Sequence, residues 1–132
     1  MMYLSVLCYI TLMKVGTDII QIKRIEKLLK RYGIKFKQRY LSKKEIAMAK
    51  KTETLAGLWA AKEAISKALG CGIGAQLSFH DIVIAKDDKG APYFKLSKKA
   101  RKVFKIKSSS ISISHDGGFA IAIAVVNLKK TI

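Results

Sequence analysis

Between Leu55 and Leu69 the residue pattern allows one structure, a helix buried on nearly every side. Strong helix formers fill the run Trp59-Ala60-Ala61-Lys62-Glu63-Ala64-Ile65-Ser66-Lys67-Ala68-Leu69, no Gly or Pro interrupts it, and Gly70 stops it. Leu55, Leu58, Ala60, Ala61, Ala64, Ile65, Ala68 and Leu69 leave no polar face wide enough for water. Yet Lys62, Glu63 and Lys67 stand within it. Charges in such a setting are paired, bind an ion, or border a site. Glu63 and Lys67 lie at i,i+4 in the favoured order, so an intrahelical ion pair worth about 0.2–0.5 kcal/mol is the plainest reading.

A second segment argues for more than that. Lys14–Thr17 reads as a short strand running through a turn into a helix over Ile22–Tyr32, with Ile22, Ile25, Leu28 or Leu29, and Tyr32 at helical spacing and Gly33 closing the run. Asp18 falls at this junction, where a carboxylate caps a helix or holds a metal. At 132 residues, half of them hydrophobic, the chain is long enough for one domain with a real core. Cys8 and Cys71 form neither a metal-binding nor a disulfide spacing, and two isolated cysteines suit a reducing compartment. Residues 1–12 are apolar but too few for a spanning helix, which needs about 20 residues, and they lack the basic start of a secretory signal. They read as an upstream extension from an early start codon, with a true N-terminal strand as the rival.

The two segments, in order, resemble the signatures of the holo-[acyl-carrier-protein] synthases, small 4′-phosphopantetheinyl transferases. The likeness rests on Gly16-x-Asp18-Ile19-x-x-Ile22-x-Arg24-Ile25 and on Trp59-Ala60-Ala61-Lys62-Glu63-Ala64-x-x-Lys67-Ala68-Leu69-Gly70. Three later stretches agree with it: Gly70-Cys71-Gly72-Ile73-Gly74 with Leu77-Ser78-Phe79-x-Asp81-Ile82, then Lys86-Asp87-Asp88-Lys89-Gly90-Ala91-Pro92-Tyr93, then Ile111-Ser112-Ile113-Ser114-His115 with Phe119-Ala120-Ile121-Ala122. The ordered set spans about residues 13–128, so 13–132 is expected to be a single transferase domain. Leu58 and Ala91 depart from the pattern, since family members often carry a basic residue at each.

The resemblance implies a function. The 4′-phosphopantetheine arm of coenzyme A passes to a serine of apo-acyl carrier protein, with Mg²⁺ as cofactor and adenosine 3′,5′-bisphosphate released, as a step of cytoplasmic fatty acid biosynthesis. It makes Asp18 and Glu63 the metal ligands and, with Lys67, the catalytic set. Lys62, Gly72, Gly90, Pro92, Ser112 and His115 become coenzyme A contacts, Arg24, Lys27 and Arg31 the carrier-docking face, and the assembly a homotrimer with interfacial sites. The choice of base stays open between a carboxylate and a water on the metal. A lone His after a strand is as often structural, and the glycines after the helix are not the dinucleotide G-x-G-x-x-G.

The net charge of +17 needs an anionic partner. Lys23, Arg24, Lys27, Lys30, Arg31, Lys35 and Lys37 concentrate it on and after the first helix, where a solvated face is the ordinary reading and an acidic carrier protein the sharper one. A nucleic-acid-binding module would explain the charge alone, because zinc spacing, an RNP-type aromatic cluster and a basic coiled coil are all missing from the sequence. A member that docks carriers without catalysis is a further alternative, suggested by Leu58 and Ala91. Neither nucleic acid nor membrane is expected as a partner.

The fold class expected is α+β, one mainly antiparallel sheet packed on a long central helix. Ser42-Lys43-Lys44-Glu45 resembles a capping box opening a short helix. Strands near Asp81–Ala85 and Tyr93–Leu96 flank a turn at Asp87–Gly90, and Lys98–Phe104 is expected as a helix burying Ala100, Val103 and Phe104. A hairpin over Ile111–Ser114 and Phe119–Val126 closes the chain; its second strand, apolar on both faces, is expected at a central or interface position.

Overall fold

The structure is a computed structural model and describes residues 9–131. Within them, strand β1 (Tyr9–Gln21) leads to helices α1 (Ile22–Tyr32), α2 (Ile34–Tyr40), α3 (Lys43–Met48) and α4 (Thr52–Ala68). A short 3-10 turn (Phe79–Asp81) opens the hairpin β2 (Ile82–Lys86) and β3 (Pro92–Leu96). Helix α5 (Lys98–Val103) precedes the closing hairpin β4 (Ile106–Asp116) and β5 (Phe119–Thr131). The class is the α+β one expected, with every strand pairing antiparallel. The strands fall into two sheets, β1-β5-β4 and β2-β3, where the sequence suggested one.

β5 is the central strand of the larger sheet. Its small alternate residues Ala120, Ala122, Ala124 and Val126 are buried together with the apolar residues of α4. That alternation follows from the period of two along a strand. The opposite face leaves Ile121 and Ile123 more than 40% exposed, beside Val15 and Ile19 of β1. Residues Tyr9–Leu12 continue β1, pairing with 128–131; residues 1–8 lie outside the described residues.

α4 approaches β1 because Gly16 has no side chain. A methyl group there would overlap the carbonyl oxygen of Ala64 and lie 2.5 Å from the amide nitrogen of Ala68. Helix and strand thus touch backbone to backbone directly beneath Asp18.

α2 has no counterpart in the sequence reading. Gly33, at φ 58°, takes the left-handed turn that separates it from α1. Its Phe36 and Tyr40 pack with Trp59 and Phe79 in an aromatic cluster, the Trp59 and Phe79 rings 4.8 Å apart. The capping box at Ser42 forms as expected, Glu45 N–H donating to Ser42 Oγ at 3.2 Å and Ser42 N–H to Glu45 Oε1 at 2.8 Å. α5 buries Ala100 and half-buries Phe104, but Val103 is 61% exposed, contrary to expectation, because the helix ends there after six residues.

Asp81 ties the 3-10 turn to α5, accepting from Ser78 N–H at 2.9 Å and from Ser97 Oγ at 2.7 Å. The Ser78 backbone donor, followed by the Ser97 hydroxyl, holds its carboxyl below the ordinary range. A carboxylate depressed in the folded state adds stability that is complete above its unfolded pKa, about 3.9, and is lost as pH falls through the folded value. Thermal melts of wild type and Asp81→Asn are therefore expected to differ most above about pH 4 and to converge at lower pH.

Candidate active site

Lys67 does not pair with Glu63. Its Nζ crosses to β1, donating to Asp18 Oδ1 at 3.0 Å and to the Thr17 carbonyl at 3.1 Å. The close contact at Gly16 makes that reach possible, since Asp18 lies two residues along the same strand. Asp18 is mostly covered, while Lys67 is about half open to solvent, so a ligand can reach the ammonium.

Glu63 is half-buried beside this pair. Burial first, and the charge of Asp18 second, push its carboxyl above the usual range, against the opposing pull of Lys67 and Arg24. Two carboxylates from separate elements thus feel one another's charge. Among the described residues no group of three or more His, Cys, Asp and Glu converges. A two-carboxylate set fits Mg²⁺, a hard ion that takes one or two protein carboxylates and completes its shell with water and phosphate oxygens.

The other expected contacts divide between places. Gly90, Pro92 and His115 line one cavity of about 250 Å³ with Gly57, Leu58 and Ile84. His115 also borders a second cavity of about 500 Å³ between the β4–β5 turn and the start of α1. Glu53 lines both, a position the sequence reading did not single out; its place in the first turn of α4 was the available signal. Ser112 faces the other way, its register partner Ile123 lying on the sheet face turned from α4. Within one chain it does not share a cavity with His115. Gly72 sits past the C-terminal end of α4, its N–H donating to the Ser66 carbonyl at 3.2 Å. The 250 Å³ cavity lies instead against the N-terminal half of that helix.

Lys62 does not reach any of these surfaces, a correction to its expected role at coenzyme A. It is fully buried, and its Nζ donates to the Tyr40 carbonyl at 2.6 Å, Glu45 Oε1 at 3.0 Å and the Phe79 carbonyl at 3.1 Å. Three acceptors use all three ammonium protons, leaving none for a phosphate.

Arg24, Lys27 and Arg31 are exposed at i, i+3 and i+7 of α1, on one face of the helix. Arg24 is close enough to lower the proton affinity of Glu63, so the basic face runs into the carboxylate site.

Sequence and structure comparisons identify the family. The model of the 4′-phosphopantetheinyl transferase superfamily matches residues 14–124. A holo-[acyl-carrier-protein] synthase of Sulfurovum sp. (strain NBC37-1) is 74% identical over 117 residues, covering 89% of this chain and 98% of that protein. One from Campylobacter jejuni (strain RM1221) is 58% identical over 114 residues, covering 86% of this chain and 99% of that one. The crystal structure of Helicobacter pylori holo-[acyl-carrier-protein] synthase in complex with coenzyme A superposes with a TM-score of 0.82 at 53% identity, covering 85% of this chain and 98% of that one. The chain belongs to the holo-[acyl-carrier-protein] synthase family.

Proposed function

We propose that this protein transfers the 4′-phosphopantetheine arm of coenzyme A to a serine hydroxyl of apo-acyl carrier protein and releases adenosine 3′,5′-bisphosphate. The observation that carries the reading is the convergence of Asp18, Glu63 and Lys67 from β1 and α4. The coenzyme A bound by the Helicobacter pylori relative supports the substrate. The cavity of Gly90, Pro92 and His115 receives the nucleotide end of coenzyme A, and His115 offers a ring nitrogen to a phosphate. Lys67 directs its ammonium at the transferring phosphoryl group or the leaving oxygen, where negative charge grows as the bond breaks. Asp18 and Glu63 would hold Mg²⁺, which would neutralise diphosphate charge when bound. The reading places the enzyme in the cytoplasm and in fatty acid biosynthesis. Chromatography of a reaction with coenzyme A and apo-carrier tests it: one adenosine 3′,5′-bisphosphate per modified carrier is expected, and modification without that product contradicts it.

The basic face of α1 is the carrier-docking surface. Charge complementarity acts mainly on encounter rate and falls with salt. Arg24→Glu with Lys27→Glu is expected to raise KM for the carrier roughly tenfold or more while changing KM for coenzyme A little. Steady-state kinetics at two ionic strengths check this.

The assembly proposed is a homotrimer built on the open face of the larger sheet. Val15, Ile19, Ile121 and Ile123 form an exposed apolar surface there, of the kind that marks a protein interface. Ser112 on that face then reaches the coenzyme of a neighbouring subunit. Light scattering is expected to give three chains for wild type and one for Ile121→Asp with Ile123→Asp.

A further inference from the structure

We infer that the buried Lys62–Glu45 pair is a positioning device that sets the width of the 250 Å³ cavity and thereby the affinity for coenzyme A. The inference rests on the reading of that cavity as the nucleotide site. Its walls come from five elements: Met48 of α3, Gly57 and Leu58 of α4, Ile84 of β2, Pro92 of β3, and His115 of β4. The pair fastens three of the five together. Lys62 belongs to α4 and Glu45 to α3, their charges 3.0 Å apart and both at most 1% exposed. The second carboxylate oxygen, Glu45 Oε2, accepts the Ile84 N–H of β2 at 3.0 Å.

Several features suit this role. β2 and β3 form a two-stranded sheet of their own, so the hairpin carrying Gly90 and Pro92 takes no position from the ladder of the larger sheet. A two-stranded hairpin is marginal alone and needs packing to fix it. Lys62 also reaches the Phe79 carbonyl in the turn that leads into β2, so the entry to the hairpin is tied to α4 and its first strand, through Glu45, to α3. An apolar core would hold these walls with less directional precision, because hydrogen bonds fix orientation where dispersion does not.

Glu45→Gln is the discriminating variant. It keeps the shape of the side chain, but an amide has one acceptor oxygen where the carboxylate has two. Whichever way it turns, its NH₂ meets either the Lys62 ammonium or the Ile84 N–H, and one tie breaks. Calorimetric titration with coenzyme A is expected to show affinity weakened about tenfold, in the range lost when partners that orient binding groups are removed. KM for coenzyme A should rise in step, with kcat and KM for the carrier within twofold of wild type. Equal loss in all three parameters, or unchanged affinity in a folded variant, overturns the inference. Hydrogen exchange on the wild-type enzyme gives a second test that does not depend on the variant folding. The Ile84 amide is expected to be strongly protected before coenzyme A is added, and fast exchange there contradicts the clamp. Failure of wild type to bind coenzyme A at all overturns the reading of the cavity itself.

Discussion

Glu63→Gln is expected to lower kcat by about 10²–10³-fold while leaving the melting temperature equal to wild type or above it. The activity loss follows from removing one of the two carboxylates proposed to hold the ion, a contribution of several kcal/mol at about 1.36 kcal/mol per tenfold. The stability expectation follows from the raised proton affinity of Glu63, caused first by burial and then by Asp18. A carboxyl with a folded pKa above its unfolded value adds stability below the unfolded value and loses it as pH rises through the folded one. Above its folded value the ionised Glu63 is therefore a cost to the fold, and a neutral amide relieves it. With Asp18 and Glu63 as the proposed ligands, adding Mg²⁺ should raise the melting temperature of wild type and do little for the variant. Assay and melting curve together separate a functional carboxylate from a structural one. A variant that keeps full activity removes Glu63 from the site.

Gly16→Ala is expected to be severely damaging, its added Cβ meeting backbone more closely than at any other glycine. The added carbon would overlap the Ala64 carbonyl oxygen and press on the Ala68 amide, both in the backbone of α4. Backbone inside a packed helix cannot swing away, so the cost should reach about 3 kcal/mol or more, the upper part of the range for overpacked cores. Relief comes only by moving β1 off α4, which carries Asp18 and the Thr17 carbonyl away from Lys67. Activity should fall further than the folded fraction does. Gly57→Ala is the comparison: its methyl would lie 2.8 Å from Ile113 Cγ2, a side-chain atom that can give with its own residue where the α4 backbone cannot. Denaturant titration of both variants should place Gly16→Ala well below Gly57→Ala.

Much of this site is legible along the chain. Three charges in an otherwise apolar helix announce a paired or functional position, whereas Asp18, expected at a junction after a strand ending at Thr17, lies inside β1, which runs on to Gln21. Which charge meets which was not legible. Helical spacing offered Glu63 to Lys67, and only the backbone contact at Gly16 brings Asp18 within reach instead. Lys62 looked like its neighbours because a one-dimensional pattern does not show that α2 and α3 fold over that face of α4. α2 itself escaped notice: Ile34-Lys35-Phe36-Lys37-Gln38-Arg39-Tyr40 is seven residues with only Phe36 and Tyr40 buried, too short for a period to stand out. The direction of Ser112 was within reach of the sequence, since the alternation Ile111-Ser112-Ile113-Ser114-His115 already puts Ser112 and His115 on opposite faces. The division into two sheets depends on where the β2–β3 hairpin docks, a long-range choice that local pattern does not encode.

Intact-mass spectrometry of the carrier tests the central claim most directly. The purified protein is incubated with apo-acyl carrier protein, coenzyme A and Mg²⁺, with and without EDTA. The account predicts that the carrier gains the mass of one phosphopantetheine arm, that EDTA abolishes the gain, and that excess Mg²⁺ restores it. An unmodified carrier from a folded enzyme with several carriers tried would contradict the transferase reading, and a gain that persists in EDTA would contradict the assignment of Asp18 and Glu63 to a metal.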